Sequence, residues 1–415
     1  MRLLNTLRSP FIVLIVALAM RGALTPGYIA WISRGGNPYL NSEPAHIAAH
    51  LARGEGFSSP YNNVPLAPTA QQPPLYPFLF AGVFKLFGVY SQKALWVITE
   101  LNALVGAAVA PLICLVGKRY LSPTAGLIAG WIWALSPAIV AADLLGSNYP
   151  LSALVILLWL LILPTISGSV NGSIFLGVIL GLAVLLNPLL GILLPASAPW
   201  LYQYWKRAFV IVLASVIVVT PWIVRNYIAL GHFYPIRDNF ALELYIGNHA
   251  GMQEHGTGRC PWKLCDGTED YGTAEFPDQS RLYVTAGEAI FMQTMRQQAL
   301  VFIWAEPASF LVRSAKRAAS FWLLPYPWFY FPLFVLMCLG LIRIPSPAKI
   351  FFLIMLALYP ISFYVTEVAW APSYRHPVES LMLLSAAVAL GGLHKLPATF
   401  RYFSRAGKQQ YTQPL

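Results

Sequence analysis

Side chains able to do chemistry are sparse in this sequence, so their positions carry weight. Glu43 stands in Asn41-Ser42-Glu43-Pro44-Ala45-His46-Ile47-Ala48 and opens a short amphipathic helix, with Ile47 and Leu51 four and eight residues further along one face. A carboxylate there can handle a proton or can simply complement the positive end of its helix. Asp143 ends an apolar run, Glu100 is the deepest acid in another, and Glu55 sits in a Gly-flanked turn that reads as a solvated loop. Among the cations, Arg225 and Asn226 follow an apolar helix in Pro221-Trp222-Ile223-Val224-Arg225-Asn226-Tyr227, and Arg237 comes twelve residues later. Arg375 and His376 open the last apolar run, where a helix N-terminus favours phosphate. For Arg225 and Arg375 the plainer role is anchoring at the membrane interface.

The elements that must position these groups follow from composition. Of 415 residues, 57% are hydrophobic and only 10% charged, against about 25% charged in a soluble domain. The chain is read as one polytopic membrane domain, 1–415, because the bilayer rather than a globular core sets its unit length. A net charge of +11 could suggest nucleic acid, so the distribution of charge decides. Ten of the sixteen acids lie between residues 225 and 325 beside nine of the 27 Lys and Arg. The remainder carries 18 basic and six acidic residues, mostly in short connections between apolar runs. That is an orientation signal for a membrane protein and not a polynucleotide patch.

Apolar runs able to cross about 30 Å of hydrocarbon occur near 10–30, 94–117, 122–142, 149–164, 172–187, 189–205, 208–224, 326–342, 350–367 and 377–393. With Arg2 and Arg8 inside, strict alternation also places Lys118/Arg119, Lys206/Arg207, Arg343/Lys349 and the basic carboxyl-terminal tail in the cytoplasm. Two large loops, 31–93 and 225–325, then lie outside. Segment 74–93 is apolar but short, interrupted by Lys85 and Gly88 and opened by a Pro pair, and is read as an interfacial helix rather than an eleventh span. Arg2, Arg8 and the Ala17-Leu18-Ala19 end of the first core also fit a cleaved signal peptide. The apolar pattern resumes after Arg21, which favours a retained span.

Cys114 and Cys338 lie within apolar runs and are expected to pack as small apolar residues. Cys260 and Cys265, in Cys-Pro-Trp-Lys-Leu-Cys, are placed to form a local disulfide in an oxidising compartment. His249 and His255 are nearby, but no zinc-type ligand spacing accompanies them, and no metal site is assigned. Gly126-x-x-x-Gly130 and Gly177-x-x-x-Gly181 read as close helix crossings. The chain contains no internal repeat, P-loop, dinucleotide fingerprint or HExxH motif.

Four motifs occur in order on the same predicted side: Glu43 through Ile47-Ala48-Ala49-His50-Leu51-Ala52-Arg53-Gly54-Glu55-Gly56-Phe57 and Pro68-Thr69-Ala70-Gln71-Gln72-Pro73-Pro74-Leu75-Tyr76-Pro77, then Pro221 to Tyr227, Gly247-Asn248, and Tyr374-Arg375-His376-Pro377. Together they resemble membrane glycosyltransferases of the GT-C class, of the dolichyl-phosphate-mannose-protein mannosyltransferase and lipid A aminoarabinose transferase type. The resemblance implies an all-α bundle of about ten transmembrane helices with two large outer-face loops, in a bacterial inner membrane with both termini cytoplasmic. It implies a polyprenyl-phosphate sugar as donor, a glycan, lipid or protein hydroxyl as acceptor, and inversion at the transferred carbon; it leaves a divalent metal open. Glu43 would take the acceptor proton, with Asp143 as the reserve acid. Arg225, Arg237, Arg375 and His376 would hold the donor phosphate, and His46, Gln72, Tyr76 and Asn226 would line the donor and acceptor region.

Two departures bear on activity. Ser42 stands where the first-loop motif commonly has an Asp before the Glu, and Gln72 where several relatives have Lys before the Pro pair. An amide cannot neutralise phosphate, so an arginine must substitute or the chain is an inactive binding homologue. A transporter or flippase of lipid-linked sugars also fits composition alone.

The orientation is testable. A cysteine introduced at Gly267 is expected to react with a membrane-impermeant thiol reagent from the outer side, and labelling from the cytoplasmic side alone would reverse the arrangement.

Overall fold

A computed structural model describes residues 9–35, 42–61, 64–166, 168–249, 277–324, 326–366 and 372–391. Among these residues the only extended pairing is an isolated bridge between Ser58 and Pro68. All else regular is helix.

Helix α1, Pro10–Ile32, precedes the first large loop, which carries α2, Glu43–Arg53, and α3, Leu75–Phe87. The bundle continues with α4, Gln92–Tyr120, α5, Pro123–Leu135, α6, Pro137–Leu144, α7, Tyr149–Ile166, and α8, Val170–Leu186. After α9, Trp205–Leu230, the second large loop carries α10, Phe240–Gly247, α11, Pro277–Ala286, α12, Glu288–Ala305, and α13, Pro307–Leu323. Four helices close the chain: α14, Pro327–Arg343, α15, Ala348–Leu358, α16, Ile361–Thr366, and α17, Pro372–Gly391.

Local chemistry explains several boundaries. Ser42, Ser91, Ser122 and Ser169 each accept the amide hydrogen three residues on, at 3.4, 3.1, 3.1 and 2.9 Å, capping α2, α4, α5 and α8. Such caps contribute about 1 kcal/mol each. Gly54, at φ +81°, ends α2 in the left-handed conformation that glycine alone adopts cheaply.

Among the described residues, four unbroken stretches are long and apolar enough to span a bilayer: α1, α4, α9 and Ala348–Thr366, which is α15 continued through α16. The expected span 122–142 is instead two helices, α5 and α6, bent by 63° at Ser136-Pro137, because proline cannot continue the hydrogen-bond ladder. The apolar run 189–205 is not a single helix either. Pro188, Pro195 and Pro199 break it into turns of three to five residues between Pro188 and Tyr204. Trp159 on α7 holds this broken stretch, its indole donating to Ser197 Oγ at 2.8 Å. Helix α3, with 13 residues and hence about 20 Å long, is too short to span and packs on α2 and α4.

Helix α17 is buried without interruption from Arg375 to Val388 and packs on α5, α7 and α14. Helix α4 packs on α1, α5 and α7. Helices α8 and α9 cross where Gly177 and Gly181 face Ala214 and Val218, too closely for a Cβ on either glycine. Cys114 is buried in α4, where it faces Gly130 of α5, whereas Cys338 lies on the exposed face of the apolar helix α14. Cys260 and Cys265, and with them the expected disulfide, lie outside the described residues.

The bundle centre is charged. Arg21 of α1 is 1% exposed and donates through Nε and Nη2 to Asp143 Oδ2 at 2.9 and 2.5 Å. Asp143 Oδ1 lies 2.7 Å from His376 Nε2, and His376 Nδ1 lies 3.6 Å from Glu379 Oε2. A Cβ at Gly106 would collide with the Asp143 carboxyl, so the bare backbone of α4 makes room for it. Trp133 stacks on the His376 ring, centroids 4.7 Å apart, and donates its indole hydrogen to Gly106 O at 2.9 Å.

Removing one member of a buried pair strands the other charge, which typically costs about 3–5 kcal/mol. Asp143→Ala is therefore expected to lower the melting temperature in detergent sharply, measured by tryptophan fluorescence. An unchanged melting temperature would show that the ion pairs do not hold the bundle.

Candidate functional site

Helix α2 presents Glu43 in its first turn, half-buried, against the segment 69–72. Gln71 Nε2 donates to Glu43 Oε1 at 3.1 Å, and Gln72 Nε2 donates to Glu43 Oε2. Both carboxylate oxygens thus meet neutral amides, which orient the group without cancelling its charge. Gln71 Nε2 also donates to the hydroxyl of buried Tyr61. Burial, and next the nearby charge of Glu43, push the Tyr61 phenol well above the usual tyrosine range, so it stays protonated.

The segment bearing these glutamines is held from the far side. Arg225 Nη1 donates to Thr69 O at 2.5 Å and to Asn226 Oδ1 at 3.1 Å, and Nη2 donates to Phe57 O at 2.6 Å. Its guanidinium lies over the rings of Trp222 and Phe57, 5.0 and 5.2 Å from their centroids. These three hydrogen bonds use three of the five guanidinium donors. Asn226 is fully buried and donates to Tyr234 O and Ile236 O at 3.0 and 3.3 Å, turning the chain after α9 back toward the site. Arg237 Nε donates to Asn239 Oδ1.

The remaining sequence candidates stand elsewhere. His46 is buried beneath α2, its Nδ1 3.1 Å from the Tyr90 hydroxyl, tying the helix to the turn before α4. Tyr76 is buried with its hydroxyl accepting from Asn102 Nδ2 at 2.9 Å. Asp143 and His376 belong to the ion-pair chain in the bundle. Arg375 is also sealed there: Nη1 donates to Phe321 O and Leu324 O at 2.5 and 3.0 Å, and the guanidinium carbon lies 3.8 Å above the Tyr330 ring. The structure therefore brings Glu43, Gln72 and the Arg225 guanidinium to one loop cluster and places Asp143, Arg375 and His376 in another network.

Three acids escaped the sequence reading. Glu379 lies three and four residues beyond His376 and Arg375, a helical spacing that marks one face, and accepts from the Tyr330 hydroxyl at 3.0 Å. Glu288 accepts from Thr69 Oγ1, from the Ala70 amide and from the Tyr283 hydroxyl at 2.5, 2.6 and 2.9 Å. Asp238 is buried beside it, and its amide donates to Ala70 O at 3.1 Å. Nothing local in the sequence points Asp238 and Glu288 at residue 70. Among the described residues, no group of three or more His, Cys, Asp and Glu side chains is placed to hold a metal.

Comparison with known proteins follows from this arrangement. Residues 71–224 match the family model for dolichyl-phosphate-mannose-protein mannosyltransferase. The archaeal oligosaccharyltransferase AglB from Archaeoglobus fulgidus, in complex with an inhibitory peptide and a dolichol-phosphate, superposes with a TM-score of 0.52 at 15% identity, covering 98% of this chain and 52% of AglB. The chain has the GT-C fold. The apo form of the Archaeoglobus enzyme gives the same TM-score at 14% identity, over 96% of this chain and 52% of that one. ArnT from Cupriavidus metallidurans bound to undecaprenyl phosphate aligns at 14% identity and a TM-score of 0.47, over 92% of this chain and 62% of ArnT. The chain spans about half the length of the oligosaccharyltransferase it matches. No curated protein matches it.

Arg225 joins two loop segments through a planar fork that lysine lacks. Arg225→Lys is expected to speed limited proteolysis between Phe57 and Thr69 by several fold, and an unchanged cleavage rate would show that this clamp is dispensable.

Proposed function

We propose that this chain is a glycosyltransferase that moves a sugar from a polyprenyl phosphate to a hydroxyl-bearing acceptor at the outer face of a bacterial inner membrane, with inversion. The observation that carries the reading is the Glu43 carboxylate on the first large loop, held by two amides in a GT-C fold. The AglB structure, which contains a dolichol-phosphate and a peptide, supports a lipid-phosphate donor.

In this reading Glu43 accepts the proton of the acceptor hydroxyl while its oxygen attacks the anomeric carbon. The bond from that carbon to the phosphate oxygen breaks, and the electron pair leaves with the polyprenyl phosphate. Its charge falls to Arg225 and Arg237, which stand in the loop cluster with Glu43, whereas Arg375 is fully buried in the separate network inside the bundle. The Gln72 amide takes no part in neutralising phosphate; it orients Glu43.

A second reading has one observation in its favour. Charged groups buried in a membrane bundle mark transport pathways in many proteins, and Arg21, Asp143, His376 and Glu379 form such a chain here. Loss of activity on altering that chain, with the loops dispensable, would favour a lipid-linked sugar flippase.

Single-turnover transfer from radiolabelled polyprenyl-phosphate sugars to membrane extract, measured with equilibrium donor binding, separates these readings. Glu43→Gln keeps the size of the side chain and one acceptor oxygen but removes its charge. Transfer is expected to fall about 10²- to 10⁴-fold while donor binding changes little, and wild-type turnover in this variant would refute the assignment.

A further inference from the structure

Ala70 is gripped at both ends of its peptide by residues far away in sequence. Its amide hydrogen goes to Glu288 Oε1 at 2.6 Å, and its carbonyl accepts from the Asp238 amide at 3.1 Å. Glu288 Oε2 takes the Thr69 hydroxyl at 2.5 Å, and Thr69 Oγ1 in turn accepts the Gln71 amide at 3.0 Å. Glu288 also opens α12, whose Phe291, Met292 and Met295 pack with Tyr61, Leu242 and Tyr245 in a buried cluster. The carboxylate is therefore fixed by its helix, and it fixes the strip of chain from which Gln71 and Gln72 reach Glu43. We propose that Glu288 and Asp238 are positioning residues that clamp residues 69–72, Glu288 through its carboxylate and Asp238 through its main-chain amide, so that the two glutamine amides set the Glu43 carboxylate for proton transfer. The inference rests on the reading of Glu43 as the base.

The pair has a further property. Both carboxyls are buried, and the two acids hold the two ends of one peptide, at Ala70. Neither Asp238 carboxyl oxygen has a hydrogen-bond partner among the described residues. Burial first, and the Glu288 charge second, hold Asp238 well above the usual carboxylate range. Arg225 and Arg237 face the pair with positive charge, whereas Glu43 and Glu243 add negative charge around Tyr61. Tyr234, Tyr283 and Arg296 complete the surroundings.

The sign follows from linkage. A carboxyl whose folded value is raised favours the folded arrangement fully at acid pH and loses that contribution as pH climbs through the raised value. Alkali therefore puts two negative charges side by side in the clamp and loosens it. Asp238→Asn stays neutral at every pH and removes this loss.

Hydrogen exchange of the peptide spanning residues 68–73 in the full chain reads the clamp directly, alongside transfer from radiolabelled polyprenyl-phosphate sugars. Glu288→Ala is expected to speed exchange there by at least about tenfold and to lower the transfer rate while leaving donor binding near wild type. Glu288→Gln, which keeps one acceptor for the Ala70 amide, should recover part of both. In Asp238→Asn, exchange and transfer relative to wild type should improve progressively from neutral to alkaline pH. Wild-type exchange in Glu288→Ala, or an Asp238→Asn profile that tracks wild type across the pH range, would overturn the proposal. Asp238→Asn changes little volume, so the test survives if Glu288→Ala fails to fold. Glu43→Gln in the same series should abolish transfer with exchange unchanged. Retained transfer there would reject the base and leave the exchange data to judge the clamp alone.

Discussion

The ion-pair chain from Arg21 through Asp143 and His376 to Glu379 sets the terms for the whole bundle. A charge inside an apolar bundle is expensive unless paired, and these partners sit on α1, α6 and α17, so the three helices must meet in one register. The rest of the packing accommodates that requirement. Gly106 clears space for the Asp143 carboxyl, and Trp133 covers the imidazole while satisfying its own indole on the Gly106 carbonyl. The bend between α5 and α6 turns the short helix that delivers Asp143. Arg375 extends the network to Tyr330 and to the carbonyls of Phe321 and Leu324, which joins α14 and the end of α13 to α17.

A second charged cluster organises the loops, and it works by a different logic. The Arg225 guanidinium donates to the carbonyls of Thr69 and Phe57, and the Glu288 carboxylate accepts the Ala70 amide and the Thr69 hydroxyl. The pairing of side chain with backbone suits an irregular segment, whose amides and carbonyls have no helix to satisfy them. It also leaves the side chains of Gln71 and Gln72 available to Glu43. The half-buried carboxylate thus rests on a rigid platform built from both large loops.

The two departures from the resembling family read differently in this setting. Ser42 supplies the cap of α2, accepting the Ala45 amide, so its hydroxyl stabilises the helix that presents Glu43. Gln72 places an amide on the carboxylate where a lysine would place a charge. An amide orients the carboxylate without adding positive charge, which shifts the neutralisation of phosphate to arginine.

The sequence by itself determined the class of the fold and most of its helices. Apolar runs, serine caps and basic connections are local signals, and local physics acts on them directly. Even the failures were written locally: Pro188, Pro195 and Pro199 break the run near 189–205, and Ser136-Pro137 splits the one before α7, although hydropathy over the same windows suggested unbroken spans. Glu43 was legible because its helix start and the motif around it are contiguous. Partnership was not. Arg21 finds Asp143 across 122 positions, His376 finds Asp143 across 233, and Thr69 finds Glu288 across 219. Periodicity shows which face of a helix a charge lies on but not which distant charge will meet it there. Only the tertiary structure decided that Asp143 and His376 neutralise Arg21 and Glu379, and that Glu288 grips the segment behind Glu43. The reason is energetic: a buried charge is stable only beside its complement, and the packing of the whole chain selects that complement.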